Sequence, residues 1–217
     1  MTVMPLTKAA LMTERVPAGA GKRERTRQAL LEAAIRMLAE RGLEGTSIDD
    51  LMRAAGMARG TFYNYFQTRE ALAVAVSNHI RETVYETVID RIPAGYSAEE
   101  IVACTTYGFI RYGLQYPETG WALVRIGGSA HWVTGARFER AHSALQAVLP
   151  NGEPLLAGLI YIEGVALMVL RRLLEGTIDI AQADTILQLA WRGLGITPVR
   201  IPALIQLSRC FIESLGL

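Results

Sequence analysis

Apolar residues recur at helical spacing between Lys22 and Arg41: Leu30, Leu31, Ala34, Ile35 and Leu38 share one face, and Gly42 follows. Such a stripe must be buried against other elements, and a glycine just past it lets the chain leave the helix. A second start signal comes at Thr46-Ser47, where Ser47 precedes Asp50 by three positions, a near relative of the capping box. That helix runs through Leu51 and Met52 to Ala55 and stops at Gly56. A third, short helix is expected from about Ala58 to Tyr65, after a turn of only a few residues. Two short helices across a glycine-bearing turn, braced by a longer helix in front, form the helix-turn-helix layout.

Helical periodicity continues to the end of the chain. No stretch longer than a few residues alternates apolar and polar side chains, so strands are not expected. The sequence reads as all-α, in three parts: an arm over 1–21, rich in Ala, Gly and Thr; a helix-turn-helix domain over 22–67; and a larger helical domain over 68–217. The larger part opens with a long helix, 68–91, ending before Ile92-Pro93. Further helices are expected near 97–115, 118–126, 130–148, 154–175, 180–194 and 198–215. Pro117, Gly127-Gly128, Pro150-Asn151-Gly152, Gly176 and Pro198 separate them.

Residues 56–66, Gly-Met-Ala-Arg-Gly-Thr-Phe-Tyr-Asn-Tyr-Phe, carry four aromatic side chains within five positions. Phe62 and Phe66, four apart, can share an inward face; Tyr63 and Tyr65 must then point elsewhere, with hydroxyls suited to phosphate oxygens. Arg59 at the helix start can present two donors to a guanine edge. Gly60 lets the backbone approach a groove floor, and the free N–H groups of a helix start face an anion. The alternative, an aromatic-rich packing helix, leaves Arg59, Gly60 and Thr61 unexplained.

Residues 26–72 resemble the N-terminal domain of the TetR family of bacterial transcriptional regulators. The resemblance rests on Ala33-Ala34, Gly42, Thr46-Ser47-Ile48, Ala54-Ala55-Gly56 and the run from Gly60 to Phe66. It implies a two-fold dimer in which each short third helix enters a major groove of double-stranded operator DNA. On that resemblance Arg59, Gly60 and Thr61 would touch bases or nearby phosphates, and Tyr63, Asn64 and Tyr65 would hold the backbone. Ser47 would lie near a phosphate, and Arg69 stands where the family usually has lysine after Tyr-Phe. Lys22, Arg23 and Arg27 would add contacts before or along the first helix. Ala58 departs from the pattern, because the family often has serine or threonine there, so a helix cap worth ~1 kcal/mol, or a phosphate contact, is missing.

A dimer is also suggested by residues 155–170, whose apolar side chains wrap almost all round a helix. Leu156, Leu159, Ile160 and Leu167, with Ile186, Leu187 and Ala190 of the next helix, would form a four-helix bundle across a two-fold axis, as the last long helices of the family usually do. Burial inside one chain is the other way to cover such a helix. The final helix, 198–215, has no assigned role.

Between 105 and 142 aromatic and polar residues mix. Phe109, Tyr112, Trp121, Trp132 and Phe138, with Arg125 and His131, are the candidate walls of an effector pocket. Core packing is the plainer account of any one of these aromatics. An apolar or aromatic small-molecule effector, its polar end met by Arg125 or His131, is the expectation, and ligand sites in the family lie between the middle helices.

Charge supports a division of labour. Residues 1–70 carry eleven Lys/Arg against eight Asp/Glu, whereas the remainder carries eleven Arg against thirteen Asp/Glu. A basic N-terminal part suits a polyanion. The longest apolar run, 155–170, is sixteen residues and holds Glu163, too short and too charged for a membrane span of ~20 residues. With no signal peptide visible and two cysteines unsuited to a disulfide framework, a cytoplasmic location is expected.

Enzyme readings find no constellation. Gly19-Ala20-Gly21-Lys22 lacks the first glycine of a P-loop and is followed by Arg23. Gly128-Ser129 has no strand to hold a nucleophile. His79, His131 and His142 lack metal spacing, and Cys104 sits in an apolar helix. Neither cofactor nor metal is expected. The expected function is a ligand-responsive DNA-binding regulator, a repressor released from a palindromic operator when effector shifts the population of domain arrangements. A helical small-molecule-binding or protein-interaction protein with weak or no specific DNA binding is the alternative.

Overall fold

A computed structural model describes residues 21–126, 138–150 and 152–217. All regular structure among them is helical. The N-terminal domain comprises α1 (Lys22–Arg41), α2 (Ile48–Ala54) and α3 (Arg59–Phe62). The larger domain comprises α4 (Arg69–Thr87), α5 (Ala98–Gln115), α6 (Pro117–Ile126), α7 (Glu139–Val148), α8 (Leu155–Leu174), α9 (Ile180–Gly193) and α10 (Ile201–Ser214).

The first domain is built as its apolar spacing requires. Leu30, Leu31 and Leu38 of α1, Leu51 and Met52 of α2 and Phe62 of α3 are all fully buried. Gly42 ends α1 with φ +69°, a region that side chains with a Cβ rarely enter. Ser47 caps α2 by accepting from the Asp50 backbone N–H at 3.1 Å. Two expectations shift. The third helix is one turn, Arg59–Phe62, and not Ala58–Tyr65. Ala58 caps nothing with its side chain, and beyond Phe62 the turn-type bonds from Asn64 N–H to Thr61 O and Tyr65 N–H to Phe62 O are followed by a single helical-type bond, Phe66 N–H to Phe62 O at 3.0 Å. The long helix stops at Thr87, and a separate 3-10 turn covers Ile89–Arg91.

In the larger domain α5 is central, packed by α6, α7, α8 and α10. Its start is fixed by a capping box in which Ser97 and Glu100 satisfy each other's backbone N–H groups. Helix α6 lies along α1 and also touches α4, α5 and α8, and one buried core runs from α1 through to α10. The close approach of α5 and α6 depends on glycine. A Cβ at Gly120 would lie 2.4 Å from the Gly113 carbonyl oxygen, and one at Gly113 would strike Leu170 of α8. Helix α7 is tied to the segment just after the 3-10 turn by Arg140, which donates to the carbonyls of Ile92 and Pro93 at 2.8 and 2.7 Å. Of the helix expected over 130–148, the part over 130–137 lies outside the described residues. Helix α10 packs on α5, burying Leu204, Phe211 and Ile212. Among the described residues no helix is long and apolar enough to cross a membrane.

Candidate nucleic-acid interface and effector cavity

Helix α3 turns Phe62 fully inward, against Phe66 at 5.9 Å between ring centroids. Fixing Phe62 inward forces its neighbours out. Arg59, Gly60 and Asn64 are exposed, Tyr63 is 52% exposed, and Thr61 and Tyr65 are half-buried, Tyr65 packing partly on the core. A Cβ at Gly60 would meet nothing within the chain. Packing therefore does not require this glycine, and the open space outside it is free for a close partner.

Several of the charged candidates are already engaged. Arg59 Nη1 lies 2.9 and 3.1 Å from the two carboxylate oxygens of Asp49 in α2. The side chain of Tyr63 and the charge of Asp49 both favour the charged guanidinium. Ser47 Oγ donates to Asp50 Oδ2 at 2.7 Å, and this bond holds the Asp50 carboxyl below its ordinary range. Arg69 donates to the carbonyls of Thr46 and Leu43 at 3.1 and 3.3 Å, so it ties the start of α4 to the α1–α2 connection. That structural role was not legible from its resemblance to a phosphate-binding lysine. Lys22 and Arg23 are exposed at the start of α1, and Arg27, half-buried, stands 3.9 Å from Glu24.

The candidate pocket residues divide. Phe109 and Phe138 line one cavity of about 120 Å³ between α4, α5, α7 and α8. Tyr112 does not reach it; it is buried and packs on Tyr116 at 4.8 Å between ring centroids. Trp121 and Arg125 turn to each other, the guanidinium carbon 5.2 Å from the ring centroid, and neither lines the cavity. A cation over an aromatic face satisfies both locally, so neither needs a ligand. His131 and Trp132 lie outside the described residues.

The cavity's polar groups were missed. Arg81 of α4 and Glu163 of α8 form an ion pair in its wall, and Thr105 and Tyr85 also line it. Arg81 also donates from Nε to Ser77 Oγ at 3.3 Å. Burial lowers the Arg81 pKa and pushes the Tyr85 phenol up to about 12. His142 is shifted down, also by burial, and stacks on Phe138, which meets Tyr85 edge to face at 4.2 Å. A signal was present in the sequence: Glu163 is the only charge in the run 155–170, and a charge in an apolar helix needs a partner.

The expected dimer face also divides. Leu156, Ile160 and Ile186 are exposed, and they are joined by Met168 and Leu189, the latter 61% exposed. Leu187 and Ala190 face the other way and are buried inside the chain at 1% and 2%, which removes them from the open face. Leu167 is half-buried, and Leu159 turns toward the cavity. Large apolar side chains exposed in such number make α8 and α9 the candidate contact surface.

Comparison with known proteins adds a family. Residues 30–76 match the family model of bacterial regulatory proteins, tetR family. The chain is 36% identical over 63 residues to the uncharacterized HTH-type transcriptional regulator YvdT of Bacillus subtilis, covering 29% of this chain and 32% of that protein. It is 37% identical over 62 residues to the HTH-type transcriptional repressor LfrR of Mycolicibacterium smegmatis, again 29% and 32%. The matched stretch thus spans about a third of the length of these curated relatives. Among solved structures, RolR in complex with resorcinol aligns with a TM-score of 0.55 at 25% identity, covering 85% of this chain and 94% of that one. A TetR family transcription regulator from Marinobacter aquaeolei VT8 shares the fold, with a TM-score of 0.58 at 23% identity over 79% of this chain and 98% of that one.

Proposed function

The N-terminal domain is a DNA-binding domain of the tetR family of bacterial regulatory proteins, and from that premise we propose that the chain is a dimeric, ligand-responsive repressor of transcription. The observation that carries the reading is α3 itself. One buried side chain, Phe62, anchors a single helical turn that exposes Arg59 and an unobstructed Gly60, and the two residues after it, Tyr63 and Asn64, are exposed as well. Donors to phosphate oxygens and one guanidinium able to read guanine are what a major-groove element needs.

The exposed apolar face of α8 and α9, with Leu156, Ile160, Met168, Ile186 and Leu189, is the surface for a second copy. Two copies bring two recognition helices to half-sites about 34–36 Å apart, so the operator is a palindrome. The effector occupies the cavity between α4, α5, α7 and α8, whose apolar walls and few polar groups suit a small molecule. That a neighbour of this fold holds resorcinol supports an aromatic ligand. One wall of the cavity is α4, the helix that starts directly after the DNA-binding domain, so effector and operator compete through its position. Footprinting on DNA flanking the chain's own gene tests the reading. A protected two-fold symmetric site is expected, and protection of no segment over random sequence would overturn it.

A further inference from the structure

Resting on the effector reading above, we propose that the cavity selects uncharged single-ring ligands that carry a hydroxyl group, phenol being the simplest, and rejects carboxylates. The size comes first. A cavity of about 120 Å³ is of the order that admits one benzene ring, since apolar cavities of about 150 Å³ do so. Its walls are suited to a ring, with Phe109, Phe138, Tyr85 and His142 among them.

The charge balance sets the selectivity. Four titratable side chains line the cavity among the described residues: Arg81, Tyr85, His142 and Glu163. Arg81 and Glu163 neutralise each other. Tyr85 stays protonated and burial favours the neutral form of His142, so the lining carries no net charge among the described residues. A ligand carboxylate would have to take Arg81 from Glu163 and leave that carboxylate without its counter-charge in a part-buried wall, a costly exchange. A neutral ligand leaves the pair intact.

The hydroxyl has a place to go. Thr105 Oγ1 is buried without a hydrogen-bond partner, although the next threonine along, Thr106, donates to the Val102 carbonyl at 2.8 Å. A carboxylate paired to one guanidinium also keeps lone pairs free. A ligand hydroxyl that accepts from Thr105 and donates to Glu163 satisfies both groups. A plain hydrocarbon of equal size would leave Thr105 as it stands, which a buried hydroxyl disfavours. Thr105 and Glu163 are thus specificity-determining residues on α5 and α8, and the Glu163 partner Arg81 sits on α4.

Calorimetric titration of the full-length protein with phenol, toluene and benzoate reads the selectivity, with operator binding followed separately. Phenol is expected to bind at least tenfold more tightly than either of the others. In Glu163→Gln the Arg81 charge is unopposed, and benzoate should overtake phenol. In Thr105→Val phenol should weaken several-fold toward toluene, keeping only its bond to Glu163, while toluene is unchanged. Benzoate or toluene binding wild type as tightly as phenol, or no binding by any of the three, would overturn the proposal. Phenol binding as described with operator affinity unmoved would leave this selectivity standing and sink the effector reading instead.

Discussion

Asp49 of α2 grips Arg59 of α3 by both carboxylate oxygens, 2.9 and 3.1 Å from Nη1, across the turn of the helix-turn-helix. The side chain best suited to read a base is therefore held by a neighbour in the free protein. Both partners are exposed, so the pair is weak and a guanine edge can replace it. Asp49→Asn should raise affinity for the operator several-fold, because it frees Arg59 and removes the negative charge beside it. Arg59→Ala should lower it by about tenfold and relax discrimination at one base pair per half-site. Competition binding with operators altered one base pair at a time checks both.

Gly60 separates folding from binding. Since a Cβ there meets nothing in the chain, Gly60→Ala should leave the melting temperature unchanged or slightly higher, alanine being the better helix former. Operator affinity should nonetheless fall by about tenfold, as the methyl group holds the helix off the groove floor. A stability scan and a binding curve on the same preparation suffice.

Arg69 is expected to matter for stability as well as binding. Its two bonds to the Thr46 and Leu43 carbonyls hold the α1–α2 connection against α4. Arg69→Ala should cost about 1–2 kcal/mol in denaturant unfolding, the scale of a charged hydrogen bond to backbone. Lysine at this position should recover phosphate affinity but only part of the stability, because its shorter stem and compact ammonium do not reproduce the place where the guanidinium sets Nη1 against both carbonyls.

Stability should fall on mild acidification. Burial shifts the pKa values of His79 and His142 below the ordinary 6.5. The unfolded chain then takes up protons before the folded one does. The contribution of both groups is therefore complete above pH 6.5 and is lost as the pH drops from there through their folded values. Asp50, Glu70 and Glu175, also held low, add losses of the same sign only below pH 4.5. Melting temperatures at pH 7.5 and 5.5 should differ by a few degrees, and the double change His79→Gln, His142→Gln should flatten the difference.

Ile160, 56% exposed on α8, tests the interface. Ile160→Lys should shift the sedimenting species from dimer to monomer at micromolar concentration while leaving the helical circular dichroism intact. Operator affinity should fall with it, since one recognition helix reads too few base pairs.

The helix-turn-helix part was legible because its residues act locally. Gly42 ends α1 and Ser47 caps α2, and both signals lie within four positions of the structure they determine. Phe62 and Phe66 on one face settle where Tyr63 points. The larger domain was legible only as helices. Its cavity is closed by α4 and α8, some eighty residues apart, so the Arg81–Glu163 pair leaves no local pattern beyond a charge in an apolar run. Trp121 and Arg125 illustrate the opposite error. They looked like pocket residues by composition, yet four positions on one helix let them satisfy each other. Leu187 and Ala190 turned inward because helical spacing alone does not say which of two apolar faces is covered within the chain.

Binding of the purified protein to a duplex from its own gene's flank, followed by fluorescence anisotropy across a range of salt concentrations with Tyr63→Ala alongside, tests the central claim most directly. Saturable binding that weakens steeply with salt, as phosphate contacts demand, and that is lost in the variant is the result expected of a DNA-binding regulator. Equal, weak binding of wild type and Tyr63→Ala to this and to unrelated duplexes would contradict it.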